Sequence, residues 1–303
     1  MANTGQTDCA AGAGVMCPDA PLDESGKVVL DHVYNQRDPR AYFGVLRELS
    51  YRIPDAAQAV IRRLLPVLAR ARKRDRLMLI DVGCSYGVTG QLLRSGRTMD
   101  WLFAHYAGHA QCDRSELIAS DRNLYQLKPL EPVAIVGVDI AANACAYAHE
   151  SGAVDATVTA NLEAHDLTPS QTAVLAGADL IVSTGFIGYG GVRTITRILD
   201  ASIANRPWMV HFVMRLFDYA PIKVALAARG YVTSRGSAPV FQRVFASRSE
   251  EREIVRRLVQ SGCDPTGLED RNGIFAELYV SRPAEERHLI DADEFHQILT
   301  SDQ

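Results

Sequence analysis

The sequence predicts an α/β fold: a Rossmann-like, seven-stranded, mostly parallel sheet with helices on both faces, an N-terminal helical cap and an inserted lid-like segment. From about residue 75 onward, short apolar runs alternate with helical runs, which is typical of doubly wound sheets. Runs such as Met78–Ile80 and Leu180–Val182 are continuously apolar, as expected of strands covered by helices on both faces. A chain of 303 residues, 47% hydrophobic and 22% charged, has room for one such domain and an appendage.

The apolar runs set the predicted strands, and the 3.6-residue periodicity between them sets the predicted helices. The strands are Leu77–Gly83, Val133–Ile140, Ala156–Asn161, Leu180–Thr184, Met209–Met214, Phe275–Val280 and one further strand within Tyr231–Phe245. The helices between them are Thr89–Arg94, Asn143–His149, Gln171–Ala176, Arg193–Ala201, Ile222–Ala228 and Glu250–Gln260.

Changes in composition divide the chain into three parts. These are a mobile tail at 1–26, a helical cap at 27–74, and the α/β domain at 75–303 with an insertion at about 98–130. In the cap, Asp38 and Pro39 suit the N-cap and first position of one helix, and a second helix runs from about Asp55 to Arg72. The insertion replaces a short connection, and connections of that length usually act as lids or added elements.

Charge and cysteine usage exclude several classes of protein. A net charge of −4 gives no basic footprint for nucleic acid. The six cysteines lack zinc-ligand spacing and are expected to be free thiols. The first residues show no signal-peptide pattern and no apolar run reaches about 18 residues, so we expect a cytoplasmic protein without membrane partners. His105 and His109 have helical spacing but no evident third ligand, so we expect no metal site.

Three strand ends carry residues suited to one ligand, because ligands of open parallel sheets bind beyond the carboxyl ends of the strands. The first strand ends Asp81-Val-Gly-Cys-Ser-Tyr-Gly87, whose glycines permit a tight turn. The second ends at Asp139, whose carboxylate can accept hydrogen bonds from two neighbouring hydroxyls. The third ends at Asn161 and Leu162, which suit the edge and the face of an adenine ring.

Together these strand ends resemble the class I S-adenosylmethionine-dependent methyltransferase superfamily, over roughly residues 55–283. The resemblance implies seven strands with the last antiparallel, and S-adenosylmethionine as cofactor. It places Gly83 to Gly87 at the methionine part, Asp139 at the ribose, and Asn161 with Leu162 at the adenine. Ser85 departs from the family, since it stands where a middle glycine is usual. The predicted cofactor-binding residues are Asp81, Gly83, Cys84, Ser85, Tyr86, Gly87, Asp139, Ile140, Asn161, Leu162, Ser183, Thr184 and Gly185.

The fourth strand leads into a glycine-rich loop, Ser183–Gly191, that we interpret as a flexible loop beside the ligand. Its rings Phe186 and Tyr189 suit a sulfonium, which aromatic faces attract by roughly 0.5–2 kcal/mol; the alternative is a loop with core aromatics. His211 is a candidate base inside an apolar strand, where a buried core histidine is the alternative. The predicted catalytic residues are Tyr189, Ser183, His211 and Tyr34.

The favoured function is transfer of a methyl group to a small-molecule acceptor in secondary metabolism. The overall plan also looks like the azetidine-2-carboxylate synthases, in which the ligand's own amine would displace methylthioadenosine and no second substrate is needed. A second alternative is a non-catalytic binding protein of the same fold. A nicotinamide-dependent oxidoreductase is disfavoured by the missing middle glycine.

Overall fold

The computed structural model describes residues 21–126 and 133–300. Its strands are β1 (Leu77–Val82), β2 (Val133–Asp139), β3 (Ala156–Thr159), β4 (Leu180–Thr184), β5 (Trp208–Met214), β6 (Tyr231–Arg235), β7 (Val240–Val244) and β8 (Gly273–Pro283). Its helices are α1 (Asp31–Tyr34), α2 (Arg40–Glu48), α3 (Ile53–Arg72), α4 (Val88–Ser95), α5 (Met99–Gly108), α6 (Arg114–Gln126), α7 (Ala142–Glu150), α8 (Pro169–Leu175), α9 (Val192–Ala201), α10 (Ala220–Ala227), α11 (Arg248–Gln260) and α12 (Ala292–Leu299). Within these ranges no helix is long and apolar enough to cross a membrane.

The strands form a single sheet in the order β3-β2-β1-β4-β5-β8-β6, with β7 also paired to β8. Strands β1 to β5 are parallel to one another, whereas β8 is antiparallel to β5, β6 and β7. The predicted doubly wound α/β fold is therefore confirmed. The strand order reverses beside β1, which puts the binding crevice of such a sheet at the carboxyl ends of β1 and β4.

The sequence predicted one strand within Tyr231–Phe245, and the structure has two there, β6 and β7. The run is interrupted at residues 236–239, where Gly236 and Pro239 favour a turn. The 11-residue strand β8 is long enough to pair with both, β7 along its first part and β6 along its last part. The sheet thus gains an eighth strand, which brings two polar residues to the binding crevice.

Each face of the sheet is covered by its own set of helices. In β1, Leu77 and Leu79 face a core built with α3 and α12, whereas Ile80 and Val82 face a core built with α8, α9 and α10. Helix α3 belongs to the predicted cap but buries most of its apolar side chains against the sheet. The cap reaches the crevice through the turn before α1, through α1 and α2, and through Tyr51 and Pro54 at the junction of α2 and α3.

The inserted segment, predicted at about 98–130, forms α5 and α6, and its residues 127–130 lie outside the described ranges. A buried carboxylate, Asp121 on α6, holds it in place. It accepts hydrogen bonds from the hydroxyls of Tyr106 and Tyr147, at 2.9 and 2.8 Å, and lies 2.7 Å from His105 Nε2. The ring of Tyr106 stacks on Phe43 of α2 at 4.2 Å, so the segment supports the cap.

Replacing Asp121 with alanine should strongly destabilise the fold, because the buried polar groups of His105 and Tyr147 lose their partner, and Tyr106 keeps only Gln91 Oε1. We expect a loss of about 3 kcal/mol in the free energy of unfolding, measured by urea denaturation. Asp100→Ala is the matched control, since Asp100 forms an exposed ion pair with Arg52 and should contribute about 1 kcal/mol or less. Equal losses in the two variants would contradict the role given to Asp121.

Candidate active site

A cavity of about 420 Å³ lies at the carboxyl ends of β1 to β4 and is covered by the N-terminal cap. That volume is in the range of small-molecule sites. Ten of the 13 predicted cofactor-binding residues line it: Asp81, Gly83, Cys84, Ser85, Asp139, Ile140, Asn161, Leu162, Thr184 and Gly185. The structure therefore brings together the strand ends that the sequence marked as one site.

The loop after β1 explains the departure at Ser85. This residue has a φ of +48°, in the left-handed region that glycine adopts most easily. Its amide donates to Asp139 Oδ2 at 2.8 Å, which helps to hold the serine in that conformation. The backbone thus takes at Ser85 the shape expected of the missing glycine.

Four of the five amides from Gly83 to Gly87 are already paired within the protein. Those of Gly83 and Cys84 donate to the carbonyl oxygen of Val138, at 2.8 and 3.3 Å, and that of Gly87 donates to the carbonyl oxygen of Cys84 at 2.8 Å. Phosphate-binding loops instead point free amides at their ligand. With the Ser85 amide bonded to a carboxylate, the loop is poorly suited to a phosphate.

Asp139 keeps hydrogen-bonding capacity for a ligand. Its two oxygens each accept one backbone amide, from Ser85 and, at 2.9 Å, from Ala141. A carboxylate has about four acceptor positions, so two remain for neighbouring hydroxyl groups. The next side chain, Ile140, is 64% exposed although the strand before it is buried, which leaves an apolar surface beside the carboxylate.

Asp81 is a buried carboxylate without a partner. It is 1% exposed, and no described group forms a hydrogen bond with either oxygen. Burial raises its pKa to about 7, and Asp139 adds to this increase while the nearby Thr89 hydroxyl opposes it. Burying a carboxylate unpaired is costly, so a cationic ligand group at this position would relieve that cost.

The third and fourth strand ends complete this part of the wall. The side-chain oxygen of Asn161 accepts the amides of Glu163 and Ala164, both at 3.2 Å, so its oxygen shapes the loop and its amide nitrogen is left for a ligand. Leu162 is buried beside it, and Thr184 and Gly185 lie at the end of β4.

The glycine loop after β4, which the sequence led us to interpret as flexible, forms a hydrogen-bonded turn in the structure. The amides of Tyr189 and Gly190 donate to the carbonyl oxygen of Phe186, at 3.0 and 3.2 Å. A Cβ placed on Gly190 or Gly83 would lie 1.9 or 2.8 Å from the Phe186 ring, so these glycines let the ring pass close to the backbone. Tyr189 is 58% exposed and lines the cavity, as does Phe186.

Three cap tyrosines, Tyr34, Tyr42 and Tyr51, also line the cavity. Burial raises the pKa of each above its usual value, so all three are neutral phenols at physiological pH. Tyr34 and Tyr42 pack edge to face with ring centroids 5.6 Å apart. Their rings and hydroxyls, and not phenolate bases, are what the cap offers a ligand.

Two predicted catalytic residues, Ser183 and His211, lie outside the cavity lining. Their side chains face the opposite side of the sheet from Thr184, with Ser183 Oγ 2.8 Å from His211 Nδ1. Both are fully buried, and burial lowers the pKa of His211 to about 3. The core-histidine alternative therefore fits His211, and neither residue is placed to touch a ligand in this cavity.

Tyr86 and Gly87, predicted to bind cofactor, also lie outside the cavity lining. The Tyr86 hydroxyl accepts the amide of Gln36 at 2.7 Å, which fixes the cap to the loop after β1. Conversely, the sequence analysis missed Lys27, Gln242 and Arg243, all of which line the cavity. The available signal was a polar pair, Gln242-Arg243, inside an otherwise apolar run.

No protein-family model and no curated protein sequence matches this chain. Similar solved structures include precorrin-6y C5,15-methyltransferase from Geobacter metallireducens, with 13% identity, a TM-score of 0.35, and coverage of 73% of this chain and 86% of that one. Magnesium protoporphyrin IX methyltransferase from Synechocystis has 10% identity, a TM-score of 0.35, and coverage of 75% and 80%. Similarity at this level carries no argument about activity, which has to come from the site itself.

Asp81 and Asp139 should have opposite effects on the stability of the unliganded protein. Between about pH 4 and pH 7 the folded chain holds a proton on Asp81 that the unfolded chain releases, so this residue lowers stability as pH rises. Asp81→Asn should therefore be more stable than wild type at about pH 7.5, by about 2–4 kcal/mol, and much less so at about pH 4.5.

Asp139→Asn is the matched control and should lose stability, by about 1–3 kcal/mol, since an amide group cannot accept both backbone amides. Urea denaturation at the two pH values measures both effects. A pH-independent difference between wild type and Asp81→Asn would contradict the unpaired state of Asp81.

Proposed function

We propose that this chain is an S-adenosylmethionine-dependent methyltransferase that acts on a small molecule. The observation that carries the proposal is Asp81, a buried carboxylate without a partner in the same cavity as Asp139. An ionised ligand amine would satisfy Asp81, and a ribose diol would satisfy the two free acceptor positions of Asp139.

The remaining wall fits the other parts of the same ligand. Ile140 and Leu162 offer apolar contact for adenine, with the amide nitrogen of Asn161 nearby as a donor. The rings of Tyr51 and Phe186 offer π faces to a sulfonium. A dinucleotide fits less well, because two carboxylates and paired loop amides oppose its phosphates.

When bound, S-adenosylmethionine supplies a methyl group already activated on a sulfonium. The work of the chain is then to position the acceptor in line with that methyl group and to exclude water. The turn before α1, together with α1 and α2, covers the cavity for this purpose. Since the cap tyrosines are neutral, they act as hydrogen-bonding and aromatic groups.

Product analysis tests the reaction type. With S-adenosylmethionine alone, we expect no product, and with a suitable acceptor we expect S-adenosylhomocysteine, both measured by mass spectrometry. Asp139→Asn serves as the control for background decomposition. Rapid release of methylthioadenosine without an acceptor would contradict methyl transfer and would support ring closure of S-adenosylmethionine to azetidine-2-carboxylate. Tight binding without turnover of any acceptor would favour a non-catalytic binding protein.

Two ligands separate the roles of the two aspartates in binding. S-adenosylhomocysteine carries the amino acid part, whereas methylthioadenosine keeps the nucleoside and lacks it. Asp81→Asn should weaken S-adenosylhomocysteine about tenfold to hundredfold and leave methylthioadenosine unchanged, because only the first ligand has the ammonium group. Asp139→Asn should weaken both ligands.

The same calorimetric titrations have a defined pH dependence. Wild-type affinity for S-adenosylhomocysteine should rise from about pH 5.5 to about pH 7.5, since binding the ammonium requires Asp81 to ionise from a pKa of about 7. Affinity for methylthioadenosine should stay flat. Equal weakening of both ligands by Asp81→Asn would contradict the assignment of Asp81 to the amino acid end.

A further inference from the structure

The cavity has a second end, formed by the turn before α1 and by β7. Lys27 lies in that turn, and Gln242 and Arg243 lie on β7. All three line the same cavity as Asp81 and Asp139, and a Cβ placed on Gly185, which follows β4, would lie 3.1 Å from Gln242 Nε2. The second end therefore adjoins the site proposed for the cofactor.

Lys27 is held in place by its backbone while its amine has no partner. Its amide donates to Asp23 Oδ1 at 3.0 Å, and the amide of the next residue, Val28, donates to Glu250 Oε1 at 2.7 Å. The side chain is 2% exposed, and no described group forms a hydrogen bond with Nζ. Nζ lies 3.4 Å from the ring centroid of Tyr189 and 4.9 Å from that of Phe217.

The second cation at this end, Arg243, is already neutralised. Its two terminal nitrogens donate to the two carboxylate oxygens of Glu250, at 2.6 and 2.9 Å, in a buried ion pair. A further buried polar atom is unpaired here, the side-chain oxygen of Gln242. Among the described residues at this end, Lys27 is thus the cation whose N–H donors remain unused.

The charge state of Lys27 is sensitive to a ligand. Burial lowers its pKa to about 7, with Arg243 adding to the decrease while Asp23 and Glu250 oppose it. An anion beside Nζ would favour the ammonium form. Tyr189, which covers Nζ, is more than half exposed, so its ring has room to move aside for a ligand.

We propose that Lys27 is the specificity-determining residue for the acceptor, which carries an anionic oxygen, either a carboxylate or an ionised phenol, that pairs with Lys27 Nζ. This rests on the proposed function, since it places the acceptor next to the cofactor. Apolar neighbours such as Leu30 and Met214 favour an acceptor whose remainder is apolar or aromatic.

Simple probes test this in the whole chain saturated with S-adenosylhomocysteine. Benzoate and 4-nitrophenolate represent the two anionic groups, and benzamide is the neutral match for benzoate. We expect at least one anion to bind wild type more tightly than benzamide. Lys27→Met, which keeps the length and apolar stem of the side chain, should weaken that anion about tenfold or more and leave benzamide unchanged.

The anion whose affinity depends on Lys27 identifies the chemical class of the acceptor's anionic group. Anion affinity should also fall as pH rises above about 7 in wild type, because Lys27 loses its proton, and should not do so in Lys27→Met. The proposal would be overturned if neither anion binds wild type more tightly than benzamide, if both anions bind wild type and Lys27→Met equally, or if neither anion binds up to about 10 mM.

A measurement on wild type guards against a variant that fails to fold. NMR of protein labelled with [ε-13C]lysine follows the titration of Lys27, and at least one of the two anions should raise the pKa of Lys27; a titration that neither anion changes would overturn the proposal. The affinity for S-adenosylhomocysteine is measured in each sample. Failure of wild type to bind it counts against the proposed function, whereas unchanged cofactor affinity with lost anion binding concerns Lys27 alone.

Discussion

The hydrogen bonds of Asp139 to the backbone are the constraint on which the cavity depends. One carboxylate joins the end of β2 to the left-handed amide at Ser85 and to the start of α7 at Ala141. Because Asp139 and the Val138 carbonyl together engage three amides of the loop, the cavity presents carboxylates where a phosphate-binding fold presents amide donors. The backbone geometry thus sets the sign of charge that the site accepts.

A second carboxylate, Glu250, performs the same task for the cap. It accepts the amides of Val28 and Ala246 and both terminal nitrogens of Arg243, so all four of its acceptor positions are used. One side chain thereby joins the turn before α1, strand β7 and helix α11. A buried carboxylate is tolerated when it is satisfied in this way, and removing its partners would leave the charge uncompensated.

The sequence predicted the sheet well because apolar runs and turns are local signals; the predicted ends of β1, β2 and β4 lie within one residue of those observed. It did not predict which way side chains point where both faces of a strand are buried. Ser183 and Thr184 were both predicted to bind the cofactor, yet successive side chains of a strand face opposite sides, and Ser183 lies beside His211 instead. Lys27 and Arg243 come to the same cavity only through long-range packing, which no local pattern encodes.

At each end of the cavity burial shifts the pKa of one ionisable group, and the two shifts have opposite directions. Burial raises the pKa of Asp81 to about 7 and lowers that of Lys27 to about 7, so each group can be neutral in the unliganded protein and avoid the cost of a buried, unpaired charge. A ligand with a cationic amino acid end would restore the Asp81 anion, and an anionic acceptor would restore the Lys27 cation. Ionised Asp81 is favoured at higher pH and protonated Lys27 at lower pH. A ternary complex that needs both ions is therefore most stable near neutral pH, where the binding of each ligand can drive the ionisation that it requires.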